Sequence, residues 1–387
     1  MKAPLQRWLW LAAALGLNLL PLVRPGSRLS PPTAFATAPP VATVPGAAAH
    51  RFVTGFIESA AQTPSVHVAS LCELRGGRLL AAWYGGTREG HRDVVIYLAT
   101  RDAEAGAWSP AVPVVSRESA ARELDRYVRK VGNALVFSDG DQRVWLLYVS
   151  IAVGGWSGSS LNLKTSADGG QTWTRSERLA LSPFFNVSEL VKNAPAPLVD
   201  GGWCVPIYHE LFGKFPELLW LPRNGSARDA VKTRPFGGAT AFQPALASLS
   251  ARRALLVNRD FTPRRQVQLA VTEDAGLSWS APTAVELPNP LSGLDAIRLR
   301  DGRVLLAFND SPDGRDVLGL AVSPDGGQTW QRAGTLESEP GQEFSYPFLL
   351  QTRDGNIHAV WTWKRKGIRH ATFNPAWLEA RQKGDAR

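Results

Sequence analysis

Two cysteines and one methionine in 387 residues leave no material for a disulfide framework or a thiolate metal centre. Cys72 and Cys204 fall in separate apolar runs, so two buried thiols are expected rather than a bridge. No Asp-rich calcium loop and no His/Cys cluster with ligand spacing occurs, so neither a metal nor any other cofactor is expected. Blocks of one charge are also missing. The 43 Lys and Arg and 34 Asp and Glu are scattered, and a net charge of +9 without a recognition motif gives no support to a nucleic-acid partner. After residue 23 no apolar run approaches the length of a membrane-spanning helix.

The first 24 residues stand apart. Lys2 and Arg7 precede an apolar run from Trp8 to Val23 that is interrupted only by Asn18 and Pro21. This pattern predicts a signal peptide or an N-terminal membrane anchor at 1–24, followed by a Pro/Ala-rich linker at 25–49. Ala34-Phe35-Ala36 has the small-residue form of a signal-peptidase site, but lies far from the run. No cysteine follows the run, so a lipoprotein anchor is not expected. The body of the protein is expected outside the cytoplasm, periplasmic, secreted or membrane-anchored.

What the chain does have is repetition. Ser323-Pro-Asp-Gly-Gly-Gln-Thr-Trp330 is nearly repeated as Ser166-Ala-Asp-Gly-Gly-Gln-Thr-Trp173, and Thr272-Glu-Asp-Ala-Gly-Leu-Ser-Trp279 keeps the hydroxyl, Asp, Gly and Trp positions. A weaker, longer copy runs from Thr100 to Trp108. Asp followed by Gly is turn chemistry: the carboxylate accepts nearby backbone N–H groups and Gly supplies positive φ. The Trp buries a ring beside the turn. A second repeat is coarser. Apolar run, tight turn, apolar run occurs with turns at Gly76-Gly77, Asp139-Gly140, Asp200-Gly201, Ser250-Ala251, Asp301-Gly302 and Asp354-Gly355, about 50 to 63 residues apart. This spacing predicts an all-β six-bladed β-propeller of four-stranded antiparallel blades over 50–375. The last blade lacks its outer strand, which Arg51–Ile57 is expected to supply, closing the ring and removing sheet edges. A polar C-terminal tail is expected at 376–387, and a monomer overall.

Polar residues collect where inner strands start and second strands end, which in a propeller is one face around the axis. Blade one offers Ser65, His67, Tyr84, Arg88, Glu89 and Asp93. Blade two offers Lys130 and Asn133, and blade three Lys192, Asn193, Tyr208, His209 and Glu210. Blade four offers Gln243, Asn258, Arg259, Asp260, Arg264 and Arg265. Blade five adds Asp295, Asn309, Asp310 and Arg315, and blade six Glu343, Ser345, Tyr346, Trp363, Lys364 and Arg365. Loop ends are polar in any protein. Every blade doing so at the same end predicts a polar pocket. Several Arg around a cavity suit a carboxylate, which a guanidinium grips with two parallel bonds.

The repeated octapeptides resemble the Asp-boxes of the sialidase (neuraminidase) superfamily. The resemblance implies that the boxes lie on outer turns between the third and fourth strands of a blade, away from the active site. It further implies a glycosidase in which Asp93, ahead of Val94-Val-Ile-Tyr97, is the acid/base, with Glu89 as a rival, and Arg88 binds substrate. Tyr346 in Glu343-Phe-Ser-Tyr346 matches the nucleophilic Tyr of the last blade, a neutral nucleophile that does not repel an acidic sugar. Arg259, with Arg264 or Arg265 as alternatives, and Arg315 match the clamp arginines of blades four and five.

Two positions depart from that family. Blade one opens with Ser65-Val66-His67 where the family carries Arg-Ile-Pro, so one clamp Arg is missing. Blade four opens with Phe242-Gln243-Pro244 where the family has a Glu that activates the Tyr. Glu210 and Glu343 are candidate substitutes, and His67 is either an anion grip when protonated or a base when neutral. Lys130 and Asn133 complete the substrate-binding candidates. The leading expectation is an exo-acting hydrolase removing a terminal acidic sugar from a glycan. The alternatives are an enzyme degrading uronic-acid or other acidic polysaccharides, and a non-catalytic glycan-binding propeller.

Overall fold

The computed structural model describes residues 34–37, 49–57, 63–103, 106–181, 186–223 and 227–384. Its repeats are turns built from side chains. In the Ser323 box the Asp325 carboxylate accepts the N–H groups of Gln328 and Thr329 at 3.0 and 2.9 Å and the Thr329 hydroxyl at 2.6 Å. Ser323 Oγ donates to Asp325 at 2.9 Å and accepts the Gly327 N–H at 2.7 Å. Trp330 closes the turn by donating to the Gly327 carbonyl at 3.2 Å. The Ser166 box repeats this pattern with Asp168, Thr172 and Trp173. The Thr272 box keeps the Asp274 bonds to Ser278, but Ala275 carries a φ of 62° where the other boxes have glycine. All three join the third and fourth strands of a blade, as expected.

Six antiparallel sheets follow one another along the chain. Each begins with a hairpin at the expected tight turn, as in Ser65–Glu73 with Leu79–Gly86 or Phe344–Gln351 with Ile357–Trp363. In blade three the inner strand is broken into Leu190–Val191 and Ala196–Pro197. The ring closes as anticipated: Phe52–Phe56 pairs with Gly367–Phe373, from Phe52 opposite Phe373 to Phe56 opposite Arg369. Cys72 and Cys204 are buried and unbridged.

Two segments differ from expectation. The described part of the expected polar tail, 376–384, belongs to a helix, Pro375–Gly384, whose Trp377 stacks on Phe52 at 4.6 Å and whose Leu378 is fully buried. Asn374 caps it, accepting the Trp377 N–H at 3.0 Å. Two apolar residues in one turn were enough to dock a segment that is polar on average. Within the expected linker, Ala34–Thr37 is not a free tether. Phe35 is fully buried among Leu198, Cys204 and Leu246 and bridges to Leu198. Residues 1–24, read as a signal or anchor, lie outside the described residues.

One regularity escaped the sequence reading. The inner strands of blades one, two, four and six each carry a bulge at the same level, with Val68-Ala69, Asn133-Ala134, Gln243-Pro244 and Tyr346-Pro347 each set against a single residue of the neighbouring strand. Val68, Asn133, Gln243 and Tyr346 have φ of 50°, 39°, 50° and 53°. An L-residue in this region is strained, and bulges of this kind re-aim side chains next to active sites.

Asp325→Ala should destabilise the protein by about 1–2 kcal/mol, because it strands the N–H groups of Gln328 and Thr329; chemical denaturation measures this, and ligand binding should be unchanged. The closing blade supplies a pH test. His358 and His370 stack at 5.3 Å, joined by a 3.0 Å contact between Nδ1 and Nε2, and burial lowers His358 to about 4 and His370 well below the ordinary value. Between pH 6.5 and about 4 the unfolded chain gains protons on these histidines that the folded one refuses, so this pair removes stability as pH falls. Replacing both with Gln should flatten the loss of Tm between pH 7 and pH 5.

Candidate functional site around the propeller axis

The bulges turn two amides toward one phenol. Asn133 Nδ2 and Gln243 Nε2 both donate to Tyr208 Oη, each at 3.1 Å. A second bond settles which way each amide faces. Asn133 Nδ2 also donates to the Val191 carbonyl at 3.1 Å, and Gln243 Oε1 accepts from Arg259 Nη1 at 2.8 Å. Blades two, three and four are thereby joined to one another. Arg259 is buried and packs over Phe242 at 4.8 Å, its Nε has no partner, and no carboxylate among the described residues bonds it. A buried cation without a counter-charge is costly, and an anionic ligand removes that cost.

On the other side of the axis lies an ion-pair chain. Glu343 accepts from Arg315 Nη1 at 3.1 Å, from Arg365 Nε at 2.7 Å and from the Ser345 hydroxyl at 2.8 Å. Arg365 Nη1 also bonds Glu89. Burial alone would raise Glu343, but the bonds from Arg365 and Ser345, the charge of Arg365 and that of His67 bring it to about 2. Burial likewise opposes ionisation of Glu89, and His67 and Arg365 outweigh it, leaving its carboxyl below the ordinary range. Neither carboxylate is therefore a ready base.

His67 sits beneath this chain. Its ring meets Tyr346 edge-on at 4.6 Å between centroids, and its Nε2 lies 4.0 Å from Glu89. Both ring nitrogens are buried and unpaired, and burial lowers its pKa to about 4, so the imidazole is neutral near pH 7. The anion-grip role expected of a protonated His67 thus does not hold at neutral pH. The Tyr346 ring lies under the Arg315 guanidinium at 5.8 Å. Lys192 forms the floor, donating to Asn193 Oδ1, the Leu294 carbonyl and the Pro347 carbonyl at 2.5, 2.9 and 2.7 Å, which pins the bulge that carries Tyr346. Burial pulls the Lys192 ammonium down and pushes the nearby Asp295 carboxyl up, each partly offset by the other's charge.

The remaining candidates lie farther out. Asp93 is half exposed. Its carboxylate accepts the N–H and hydroxyl of Thr87 and meets His91 Nδ1 at 2.7 Å. The Thr87 bonds hold it at about 2, and a carboxylate of that kind carries no proton near neutral pH. Arg88 is exposed in the same loop. Lys130 lies over Trp156 at 5.3 Å, at the edge of Glu89. Glu210 faces Lys214 at 3.7 Å. Arg265 turns away to Asp313 at 2.8 Å and lines a separate cleft of about 500 Å³ with Pro263, Glu286 and Pro312, which contains none of the axial residues.

Of the sequence candidates, His67, Glu89, Asn133, Gln243, Arg259, Arg315, Glu343 and Tyr346 are gathered at the axis, through the contacts above. Three central residues, Tyr208, Lys192 and Arg365, stood only among the polar blade ends. Arg365 comes from the turn after Ile357–Trp363, has a φ of 55°, and accepts the Val66 N–H on its carbonyl at 2.9 Å. It thus stands beside blade one, where an Arg was missing. No sequence spacing connects residues 66 and 365.

Fold and site together define a sialidase-type propeller with a polar, arginine-lined axial end. The chain is a BNR-repeat member of the sialidase superfamily: the family described as BNR repeat-like domain matches residues 77–359. A sialidase from Micromonospora viridifaciens is 33% identical over 140 residues, covering 34% of this chain and 21% of that protein. Among solved structures, the Hadza microbial sialidase Hz136 superposes with a TM-score of 0.68 at 16% identity, over 81% of this chain and 66% of the other. A Trypanosoma rangeli sialidase in complex with sialic acid gives 0.65 at 12% identity, over 84% and 56%. The chain thus spans about a fifth of that curated relative and about two thirds or less of these structures.

The ion-pair chain makes a sign-definite prediction. Arg365→Leu removes the bond and charge that lower Glu343 and Glu89, so both should titrate at higher pH. Carboxyl-carbon NMR of the two side chains checks it, and an unchanged Glu343 titration contradicts the assignment of cause.

Proposed function

We propose that this protein is an exo-acting glycosidase that removes a terminal acidic sugar, sialic acid or a relative, from a glycan. The observation that carries the reading is Arg259, buried at the axis with a free Nε and, among the described residues, no carboxylate bonded to it. The substrate's carboxylate supplies the missing counter-charge, with Arg315 beside it. Tyr346 is the nucleophile toward the anomeric carbon, and a neutral phenol suits a negatively charged sugar. Its proton passes to His67, the unpaired neutral imidazole against its ring. His67 thereby serves where Gln243 has no proton affinity to offer, and Glu89, 4.0 Å away, stabilises the imidazolium. The sialidase names of the relatives support this substrate class. With residues 1–24 read as an export signal or anchor, the substrate is a glycan outside the cytoplasm.

The test is release of sialic acid from a 4-methylumbelliferyl α-sialoside and from sialyllactose by the full chain. Tyr346→Phe should lower kcat/KM by at least about 100-fold, and Arg259→Leu should raise KM. No release from any α-sialoside overturns the substrate assignment. One observation favours a second reading: a neutral, unpaired His67 on a blade-one strand that lacks the clamp arginine suits proton abstraction from a uronate. Unsaturated products from acidic polysaccharides, seen by ultraviolet absorbance, would identify it.

A further inference from the structure

Tyr208 has an environment that the reading above does not use. It lies near the end of Trp203–His209, is buried, and meets Phe242 edge-on at 6.1 Å. The two amide donors converge on its oxygen at 3.1 Å each. Both amides are anchored by second bonds, to Val191 and Arg259, so neither can flip to present its carbonyl oxygen without losing one. Both come from residues held at positive φ. The phenol oxygen thus has its two acceptor positions filled, and among the described residues its own hydrogen has no acceptor. That hydrogen is left for a ligand. Tyr208 also feels the charges of Glu210, Tyr346 and Arg259, which places it at the same centre.

We infer that Tyr208 is the proton donor to the leaving oxygen, and that Asn133 and Gln243 form a two-amide hole for the phenolate that remains. The inference rests on the glycosidase reading of this site. The bond between the anomeric carbon and the leaving oxygen breaks, with both electrons staying on oxygen. The Tyr208 hydrogen moves to that oxygen as Tyr346 bonds to the anomeric carbon and gives its own proton to His67. Water then attacks the anomeric carbon and gives a proton to the Tyr208 phenolate. Tyr346 departs and recovers its proton from His67, so the net reaction is hydrolysis. Preorganised N–H donors aimed at a developing oxyanion are among the strongest contributions to catalysis.

This arrangement accounts for two features. Gln243 is a donor that the mechanism requires: a Glu there would set a negative charge against the phenolate. Asp93, already ionised and occupied by Thr87, is not needed as the acid. Burial, with the charge of Glu210, raises the Tyr208 pKa well above its ordinary value against the opposing Gln243 bond, so the phenol carries its proton at neutral pH.

The experiment has two arms. In the first, Tyr208→Phe is assayed on sialyllactose, whose sugar leaving group needs a proton, and on the methylumbelliferyl sialoside, whose leaving group does not. A loss of about 100-fold or more on the former against less than about tenfold on the latter is expected; equal losses mean a structural role and overturn the inference. The second arm needs no substrate. 3,5-Difluorotyrosine is placed at position 208 and its ionisation followed by fluorine NMR, in the otherwise native chain and with Gln243→Glu, nearly isosteric, or Gln243→Leu. Either substitution should make ionisation at least about tenfold harder. Unchanged titration overturns the inference. If the native chain cleaves neither sialoside, the substrate reading fails by itself, and the fluorine titration decides whether positions 133 and 243 hold a phenolate.

Discussion

The axial site depends on closure of the ring. Inner strands also pack against those of neighbouring blades, as Ser65–Glu73 does against Lys130–Ser138 and Phe344–Gln351, and only a closed ring holds all of them so. The closing contact is the ladder between Phe52–Phe56 and Gly367–Phe373, reinforced by Trp377 of the last helix against Phe52. Without it the last blade would expose a sheet edge, and the loop carrying Arg365 would lose its fixed position beside blade one. Residues 66 and 365 meet because the chain returns to where it began.

Closure brings strands together, and the bulges decide what they present. A regular strand alternates its side chains between faces. The extra residue in four inner strands breaks that alternation at one level, so that Asn133 and Gln243 both reach Tyr208, and Tyr346 meets His67. Each bulge holds an L-residue at positive φ, at an expected cost of about 1–3 kcal/mol. A propeller that needed only stability would not retain this strain at the same height in blade after blade. Lys192 holds one of these bulges from below through the Pro347 carbonyl.

Charge then divides the site into two halves. Around Glu343 and Glu89, arginines and carboxylates neutralise one another, leaving His67 as the neutral, unpaired group. Around Tyr208 the bonds are of another kind: Arg259 faces an amide, and amides face a phenol. The first half is suited to holding protons in fixed places, the second to receiving an anion and a developing negative charge. The two departures from the sialidase pattern fall one in each half, the Ser65-Val66-His67 segment in the first and Gln243 in the second.

Much of the fold was legible in the chain because it rests on local chemistry. An Asp-box needs only its own eight residues, so Ser323 to Trp330 announced the turn that the structure contains, and the hairpin spacing counted the blades. The closing strand was legible because the last blade was one strand short. The docked helix was not, because burial of Trp377 and Leu378 depends on a surface that Phe52, far off in sequence, makes together with Phe373. The site divides in the same way. Residue types at the blade ends pointed to arginines, a Tyr and carboxylates near the axis, whereas the bonds of Asp93 to Thr87 of its own loop could not be read from its position. Partnership was decided only in three dimensions. Sequence alone determined the repeating turn and hence the propeller, since those energies are local. Which tyrosine receives two amides, which arginine lacks a carboxylate and which histidine stays neutral were decided by the tertiary structure, because bulge geometry and burial act between residues that no spacing connects.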